Sequence, residues 1–178
     1  MKIYEEIVNP GVPTAIALGF FDGVHKGHKK VISKTVSFKN SRITPCVFTF
    51  KNSPKETIYN TKIEPITNVS DKISKFESLG IEILYIIDFK DIKNISALNF
   101  VSQILKKKLN AKILVCGENY HFGKGGKATA LDLKKISKNF GINTYIEKLV
   151  MYKNSPISST KIRSAISNND TDYIMNTI

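Results

Sequence analysis

Long apolar segments are missing from this 178-residue chain. Its apolar runs, such as residues 83–87, have the length of a strand, whereas a membrane-spanning helix needs roughly 18 to 20 apolar residues. Residues 1–6 carry acids where a secretory signal peptide would carry its apolar segment. We therefore expect a cytoplasmic protein that does not cross a membrane.

Cysteine is also scarce. Only Cys46 and Cys116 occur, and each lies inside an apolar, strand-like run. Two cysteines without close spacing or a secretion signal favour buried thiols over a disulfide or a metal site. The chain still has material for one core, because 42% of its residues are hydrophobic. No internal repeat, low-complexity tract or linker divides it.

Acidic residues and arginine are few compared with lysine. Against 15 acids stand 27 basic residues, a formal net charge of +12, and arginine occurs only at Arg42 and Arg163. The lysines are spread along the whole chain, so the charge suits either a nucleic-acid partner or small polyanionic substrates. Arginine offers a planar fork that matches phosphate oxygens, whereas lysine is a point charge. An arginine inside a phosphate-type motif therefore indicates that the fork is needed.

The most informative stretch that is present lies near the amino terminus. Apolar residues 15–18 end at Gly19, and His25 and His28 bracket Gly27 where a helical pattern begins. A tight turn from a strand into a helix gathers unpaired N–H groups and the positive end of the helix dipole, which attract phosphate. Histidines three residues apart share one helix face, so both rings can face one anion. A zinc-binding His-Glu-x-x-His helix would need them four apart.

Apolar runs alternate with helical patterns along the whole chain. Ser70 and Ser96 are predicted N-caps, and Gly80 and Gly141 stand where helices should end. The alternation predicts an α/β fold, with a doubly wound, mostly parallel sheet covered by helices on both faces. Ligands bind such sheets beyond the carboxyl ends of the strands, where the histidine block lies. The predicted strands are 15–20, 45–50, 83–88, 112–116 and 143–147, and the predicted helices are 25–38, 70–79, 96–109, 129–140 and 160–166.

A second phosphate-type segment lies near the carboxyl terminus. Residues 157–163 read Ile-Ser-Ser-Thr-Lys-Ile-Arg and place clustered hydroxyls at a helix start, with Arg163 one turn beyond Thr160. Hydroxyls and backbone N–H groups at such a start can donate to phosphate oxygens, and a guanidinium can pair with them. Alone, the segment is equally typical of a serine-rich helix cap. Its pairing with the histidine block favours the phosphate interpretation.

Two loops complete the candidate site. Residues 117–123, Gly-Glu-Asn-Tyr-His-Phe-Gly, follow the fourth predicted strand, and their glycines allow close approach to a ligand. Tyr120 and Phe122 either face that ligand or pack the loop onto the core. Residues 49–54, Thr-Phe-Lys-Asn-Ser-Pro, leave the second predicted strand as a ligand-facing loop or an ordinary turn.

The histidine block and the later segment together resemble two motifs of the nucleotidylyltransferase superfamily. The block ends in His-x-Gly-His, and residues 158–163 match Ser-Ser-Thr-x-Ile-Arg in the superfamily's order. The longer form Gly-Phe-Phe-Asp-Gly-Val-His-Lys-Gly-His resembles the bacterial FAD synthetase family, whose FMN adenylyltransferase module it opens. Three positions depart from that family's pattern: Ser53 stands where a histidine often falls, Asn119 replaces an acid, and His121 replaces an arginine.

The resemblance implies a Rossmann-like nucleotidylyltransferase fold with five or six strands, and the transfer of AMP from ATP to FMN to give FAD and pyrophosphate. It implies Mg²⁺ carried with ATP and no metal ligand among the side chains. Asp22, in an Asp-Gly turn signal, is interpreted as structural rather than as a magnesium or ribose contact. The implied catalytic residues are His25, His28 and Arg163; the implied ATP-binding residues are Gly19, Phe20, Phe21, Gly27, Gly117, Ser158, Ser159 and Thr160; the implied FMN-binding residues are Phe50, Asn52, Tyr120 and Phe122.

The resemblance also implies a domain organisation. We expect residues 1–178 to form one FMN adenylyltransferase domain, without the riboflavin kinase barrel that usual family members carry. A separate riboflavin kinase would then be a partner, beside the substrates ATP and FMN, and no specific nucleic acid is expected. The alternatives are another small-molecule adenylyl- or cytidylyltransferase of the superfamily, a degenerate flavin binder, and a non-catalytic basic nucleic-acid-binding domain.

Overall fold

A parallel sheet forms the centre of the computed structural model, which describes residues 1–40 and 42–178. The described strands are β1 (Lys2–Tyr4), β2 (Thr14–Leu18), β3 (Thr44–Phe50), β4 (Ile83–Ile87), β5 (Ala111–Gly117), β6 (His121–Phe122), β7 (Ala128–Thr129), β8 (Asn143–Glu147), β9 (Met151–Tyr152) and β10 (Ser155–Pro156). Six of them form the central sheet in the order β1-β4-β3-β2-β5-β8, and each pairing in it is parallel. The short pairs β6–β7 and β9–β10 are antiparallel. The predicted α/β fold is confirmed, and β1 adds an edge strand to the five predicted ones.

Helices pack on both faces of the sheet. Besides short 3₁₀ turns at Phe89–Asp91 and Lys124–Gly126, the helices in the described ranges are α1 (Lys26–Val36), α2 (Pro54–Tyr59), α3 (Val69–Ser78), α4 (Ala97–Asn99 continuing as Phe100–Lys108), α5 (Ala130–Lys138), α6 (Ser159–Ser167) and α7 (Thr171–Thr177). The second part of α4 is a π-helix, in which hydrogen bonds join residues five apart. The five predicted helices are present, and α2 and α7 are additional.

Alternate residues of each central strand face two separate hydrophobic clusters. Ile16 and Leu18 of β2 pack in one cluster, together with Leu105 of α4 and Leu133 of α5. Ala17, between them, packs in the other cluster with residues of α1 and α3. Every residue of β2 is buried, as expected for a parallel strand whose sheet is covered on both faces. This burial explains why the strand is a continuous apolar run.

Helix ends follow the capping rules with one correction. Ser96 caps α4, as predicted, since its hydroxyl accepts a hydrogen bond from the Asn99 N–H at 3.2 Å. The prediction of Ser70 as a cap is wrong: Asn68 caps α3, and Ser70 donates its hydroxyl to the Asn68 side chain at 2.7 Å. Asparagine and serine are equally good caps, so neighbouring candidates cannot be ranked by residue type. The glycines predicted to end α3 and α5 do follow those helices in the left-handed conformation.

The two cysteines, Cys46 on β3 and Cys116 on β5, are buried free thiols, as predicted. Burial raises the pKa of the Cys116 thiol to about 12 and also raises that of Cys46, so both are protonated at neutral pH. Within the described ranges, no helix combines the length and the apolar character needed to cross a bilayer.

The strand order reverses between β2 and β5. The chain passes from β2 to β3 on one side, whereas β5 pairs with the other side of β2. The carboxyl ends of these neighbouring strands, at Leu18 and Gly117, therefore meet at a crevice of the kind that binds ligands in open α/β sheets.

Candidate functional site

A cavity of about 480 Å³ lies beyond the carboxyl ends of β2 and β5. It gathers both phosphate-type motifs and the glycine-marked loop, which are far apart in the sequence. Asn52 is the exception, because it lines a separate cavity beside Lys90 and Lys93. The predicted site residues that line the main cavity are Gly19, Phe20, Phe21, His25, Gly27, His28, Phe50, Gly117, Tyr120, Phe122, Ser158, Ser159, Thr160 and Arg163.

The two histidines lie against each other at the start of α1. His25 is the N-cap, and its Nδ1 accepts a hydrogen bond from the His28 N–H at 3.3 Å. The imidazole rings stack with 3.6 Å between their centroids and 19° between their planes. Phe21 packs edge-on against His28, with 5.3 Å between the ring centroids. The turn from strand to helix thus holds both rings at one place on the cavity wall.

Both histidines are neutral at physiological pH. Burial lowers the pKa of His25 to about 4. Burial also lowers the pKa of His28 well below its usual value; repulsion from His25, when that ring is protonated, and from the Lys72 ammonium adds to that effect. Among the described residues, the buried Nδ1 of His28 finds no hydrogen-bond partner. The histidines therefore offer hydrogen bonds to a ligand rather than permanent charge.

The start of α6 is tied to the turn that precedes α1. Ser158 caps α6, and the Ser159 hydroxyl donates to the Asp22 carbonyl at 2.9 Å. The Arg163 guanidinium pairs with the Asp22 carboxylate, and its Nε donates to the Glu64 carbonyl at 2.9 Å. Asp22 is 2% exposed and also accepts a hydrogen bond from a backbone N–H in the 60–68 loop. These contacts support the structural interpretation of Asp22.

The connection from β2 to α1, residues 19–24, is strained and tightly packed. Phe21 and Val24 have φ values of 55° and 42°, which side chains other than glycine rarely adopt. A Cβ on Gly19 would lie 2.9 Å from the Phe21 ring, and one on Gly27 would lie 3.1 Å from the His25 ring. The close approach of an aromatic ring therefore favours glycine at both positions, and most strongly at Gly19, since neither has a positive φ.

Lys72 on α3 is the residue that sequence reasoning missed. It is 5% exposed, and its Nζ donates to the Phe20 carbonyl at 2.6 Å and lies 4.5 Å from the centroid of the Phe20 ring. A lysine in a helix of a lysine-rich protein is typical of a solvated surface. One signal was available, because Lys72 precedes the buried Phe76 by one turn and so shares its inward face.

Aromatic side chains form a large part of the cavity lining. Tyr120 and Phe122 stack with 5.8 Å between ring centroids, and Phe50 meets Phe89 edge-on at 5.2 Å. Phe122 is buried in the core and also lines the cavity, so packing of the loop onto the core does not keep this ring from the cavity. His121 is exposed, lines the cavity, and contacts the Gly126 carbonyl through Nδ1 at 3.1 Å. Such a lining suits a flat, apolar ring system.

Comparison with known sequences gives one consistent result. The FAD synthetase family model matches residues 10–161. The chain is 35% identical over 164 residues to the bifunctional riboflavin kinase/FMN adenylyltransferase of Bacillus subtilis (strain 168), covering 89% of this chain and 51% of the relative. It is 27% identical over 177 residues to the protein of the same description from Escherichia coli (strain K12), covering 96% and 56%. The chain thus spans about half the length of the curated relatives that it matches.

Solved structures share the fold of this chain. A structure titled macrolide-efflux protein from Streptococcus pneumoniae is 30% identical, with a TM-score of 0.80, over 93% of this chain and 56% of that one. The pantoate-beta-alanine ligase of Francisella tularensis, solved with beta-gamma ATP and beta-alanine, has a TM-score of 0.62 at 17% identity, over 95% of this chain and 77% of that one, which shows the fold alone. Since the family model covers most of the chain, and a relative above 30% identity covers a similar share, this protein belongs to the FAD synthetase family.

Proposed function

We propose that this chain is an FMN adenylyltransferase, which transfers AMP from ATP to FMN. The observation that carries the proposal is the mixed lining of one cavity, which combines two histidines, the start of α6 and an arginine with several aromatic rings. The polar groups suit a polyphosphate, and the aromatic rings suit an isoalloxazine ring.

Transfer of AMP to FMN requires that the two substrates be positioned correctly, and it does not require a strong general base. The FMN phosphate is already an anion near neutral pH, so one of its oxygens forms the new bond to the α-phosphorus of ATP. The bond from that phosphorus to the bridging oxygen breaks, and pyrophosphate leaves with the electron pair. In-line alignment and stabilisation of charge supply the acceleration. Imidazoles, hydroxyls, backbone N–H groups and one guanidinium are suited to that task.

The hydrogen bonds of the protein suggest what each group does. Because Nδ1 of His25 accepts a hydrogen bond, its proton is on Nε2, which can donate to a phosphate oxygen. Because Nδ1 of His28 is buried, the other ring nitrogen, Nε2, is the atom left to exchange a hydrogen bond with the same ligand. The Ser159 hydroxyl is already committed to Asp22. This leaves the Thr160 hydroxyl, the N–H groups at the α6 start and the remaining donors of Arg163 for the β- and γ-phosphates.

Magnesium is the cation that we expect ATP to bring. Within residues 1–40 and 42–178, no three acidic, histidine or cysteine side chains come close enough to hold a metal ion. Asp22 lines the turn nearby, but Arg163 and a backbone N–H already engage it. A magnesium ion would therefore come with ATP and be held chiefly by its phosphate oxygens.

We extend the proposal to the setting of the enzyme. Residues 1–178 carry the activity as one FMN adenylyltransferase domain in the cytoplasm, with ATP and FMN as substrates. The curated relatives are named for riboflavin kinase as well as FMN adenylyltransferase activity. A riboflavin kinase, which makes FMN, is therefore the proposed partner.

Incubation of the protein with ATP, Mg²⁺ and either FMN or riboflavin, followed by chromatographic separation of flavins, tests the proposal. We expect FAD from FMN and no FMN from riboflavin. Transfer of AMP to pantetheine phosphate or nicotinamide mononucleotide instead of FMN would favour another member of the superfamily. Salt-sensitive RNA or DNA binding without consumption of ATP would favour the nucleic-acid-binding alternative.

A further inference from the structure

Lys72 holds the connection between β2 and α1 from behind the cavity. Its ammonium donates to the Phe20 carbonyl at 2.6 Å, and the Thr49 hydroxyl donates to the same carbonyl at 2.8 Å. Lys72 does not line the cavity, so its contacts are with the protein rather than with a ligand. It acts on the site through residues 19–24, whose strained backbone persists only where the surroundings hold it.

The charges around this connection do not balance. Lys72 and Arg163 approach one carboxylate, that of Asp22, while His25 and His28 are neutral. The ionisable groups that face Lys72 are Asp22 and, on α1, His28; Arg163 reaches Asp22 from α6. One positive charge therefore remains uncompensated beside the phosphate-type motifs, in surroundings where burial weakens screening.

We propose that Lys72 is a positioning residue for the polyphosphate of ATP: its buried ammonium fixes the 19–24 connection and keeps the cavity wall positively charged. The inference rests on the proposed ATP site. A helix lysine that served only solubility would extend into water. The Lys72 ammonium is instead buried, and it contacts the carbonyl and the ring of Phe20 in place of water.

Titration of Lys72 gives the inference a pH signature. Burial lowers the pKa of Lys72 to about 8, and Asp22 opposes that shift. The ammonium is therefore charged at neutral pH and loses its charge in mildly alkaline solution. Binding of a polyanion should weaken across that range.

The test compares the unaltered protein with Lys72→Met, Lys72→Arg and a control, Lys75→Met, on the same helix. The KM for ATP, kcat and the calorimetric Kd for ATP are measured from pH about 7 to about 9.5. At neutral pH, Lys72→Met should raise the KM and Kd for ATP about tenfold, because the cavity wall loses one positive charge and the 19–24 connection loses its ammonium anchor, and Lys75→Met should not. Methionine does not orphan the Phe20 carbonyl, because Thr49 still donates to it.

The pH profile separates positioning by charge from packing alone. In the unaltered protein, kcat/KM for ATP should fall above pH about 8 toward the level of Lys72→Met. Lys72→Arg should keep tight ATP binding and lose that fall, because arginine stays charged. If Lys72→Met does not fold, the pH profiles of kcat/KM for the unaltered protein and for Lys72→Arg are sufficient to test the inference.

Two results would overturn the inference: ATP constants for Lys72→Met within twofold of those for Lys75→Met at every pH, or the same alkaline fall in Lys72→Arg as in the unaltered protein. If the proposed function itself is wrong, the result is different: the unaltered protein forms no FAD. The Kd for ATP then still decides the role of Lys72.

Discussion

Replacement of Arg163 by alanine should lower both stability and activity, and the two losses can be separated. The guanidinium pairs with Asp22, whose side chain is 3% exposed, and binds the Glu64 carbonyl. Alanine would leave that carboxylate buried without its arginine. It would also remove the only planar phosphate-binding fork in the cavity lining.

The size of the stability loss follows from burial. Breaking a fully buried ion pair on one side typically costs about 3 to 5 kcal/mol. The side chain of Arg163 is 28% exposed, and Lys72 remains as a second cation near Asp22, so we expect the free energy of unfolding to fall by about 2 kcal/mol. For a chain of this size, that corresponds to a melting temperature lower by roughly 4 to 8 °C.

A second substitution separates stability from catalysis. In the double variant Arg163→Ala/Asp22→Asn, the buried charge is gone, so at least half of the lost stability should return. Activity should stay low, because no guanidinium faces the phosphates. Arg42→Ala, which removes an exposed arginine, is the matched control.

Thermal unfolding and chromatographic measurement of FAD formation from FMN and ATP check both parts. Near-native FAD formation by Arg163→Ala would refute its assignment to the site. Equal melting temperatures for the single and double variants would refute the reasoning about the buried carboxylate.

Three further outcomes are expected. Gly27→Ala should keep the melting temperature within a few degrees yet slow FAD formation, because its methyl group displaces the His25 ring; unchanged rates would contradict this. Between pH about 6.5 and about 4, the unfolded chain binds a proton that folded His25 does not. As the pH is lowered through that range, His25 alone should reduce the free energy of unfolding by about 1.4 kcal/mol per pH unit, and His28, whose pKa is also lowered, should steepen the fall. Urea titrations at several pH values can measure the fall, and a flat profile would refute it. Phe50→Ala should raise the KM for FMN severalfold and leave that for ATP unchanged in steady-state kinetics; equal effects on both would place Phe50 elsewhere.

Much of the fold was predictable because apolar spacing records which face of an element is buried. β2 is continuous and apolar since both of its faces are covered, and α1 begins where that run gives way to a helical pattern. The two phosphate-type motifs were recognisable because each is contiguous in sequence. Their convergence on one cavity follows from the strand order, since parallel strands bring their carboxyl ends to one edge.

Other features of the structure could not be predicted from the local sequence pattern. β1 has only three residues, too few to show a strand period, and the choice of Asn68 over Ser70 as a cap depends on where α3 meets the sheet. Asn52 follows a cavity-lining phenylalanine in sequence, yet its loop turns it toward a different cavity.

By itself, the sequence determined the alternation of strands and helices and the chemistry of the His-x-Gly-His and Ser-Ser-Thr-x-Ile-Arg segments, because both depend on near neighbours in the chain. Only the tertiary structure decided that Arg163 pairs with Asp22, 141 residues away, and that Lys72 lies buried behind Phe20. The composition marks Lys72 as one more surface lysine. Its hydration was lost only when α3 packed against the sheet, since burial and charge pairing are properties of the folded arrangement and not of the residue.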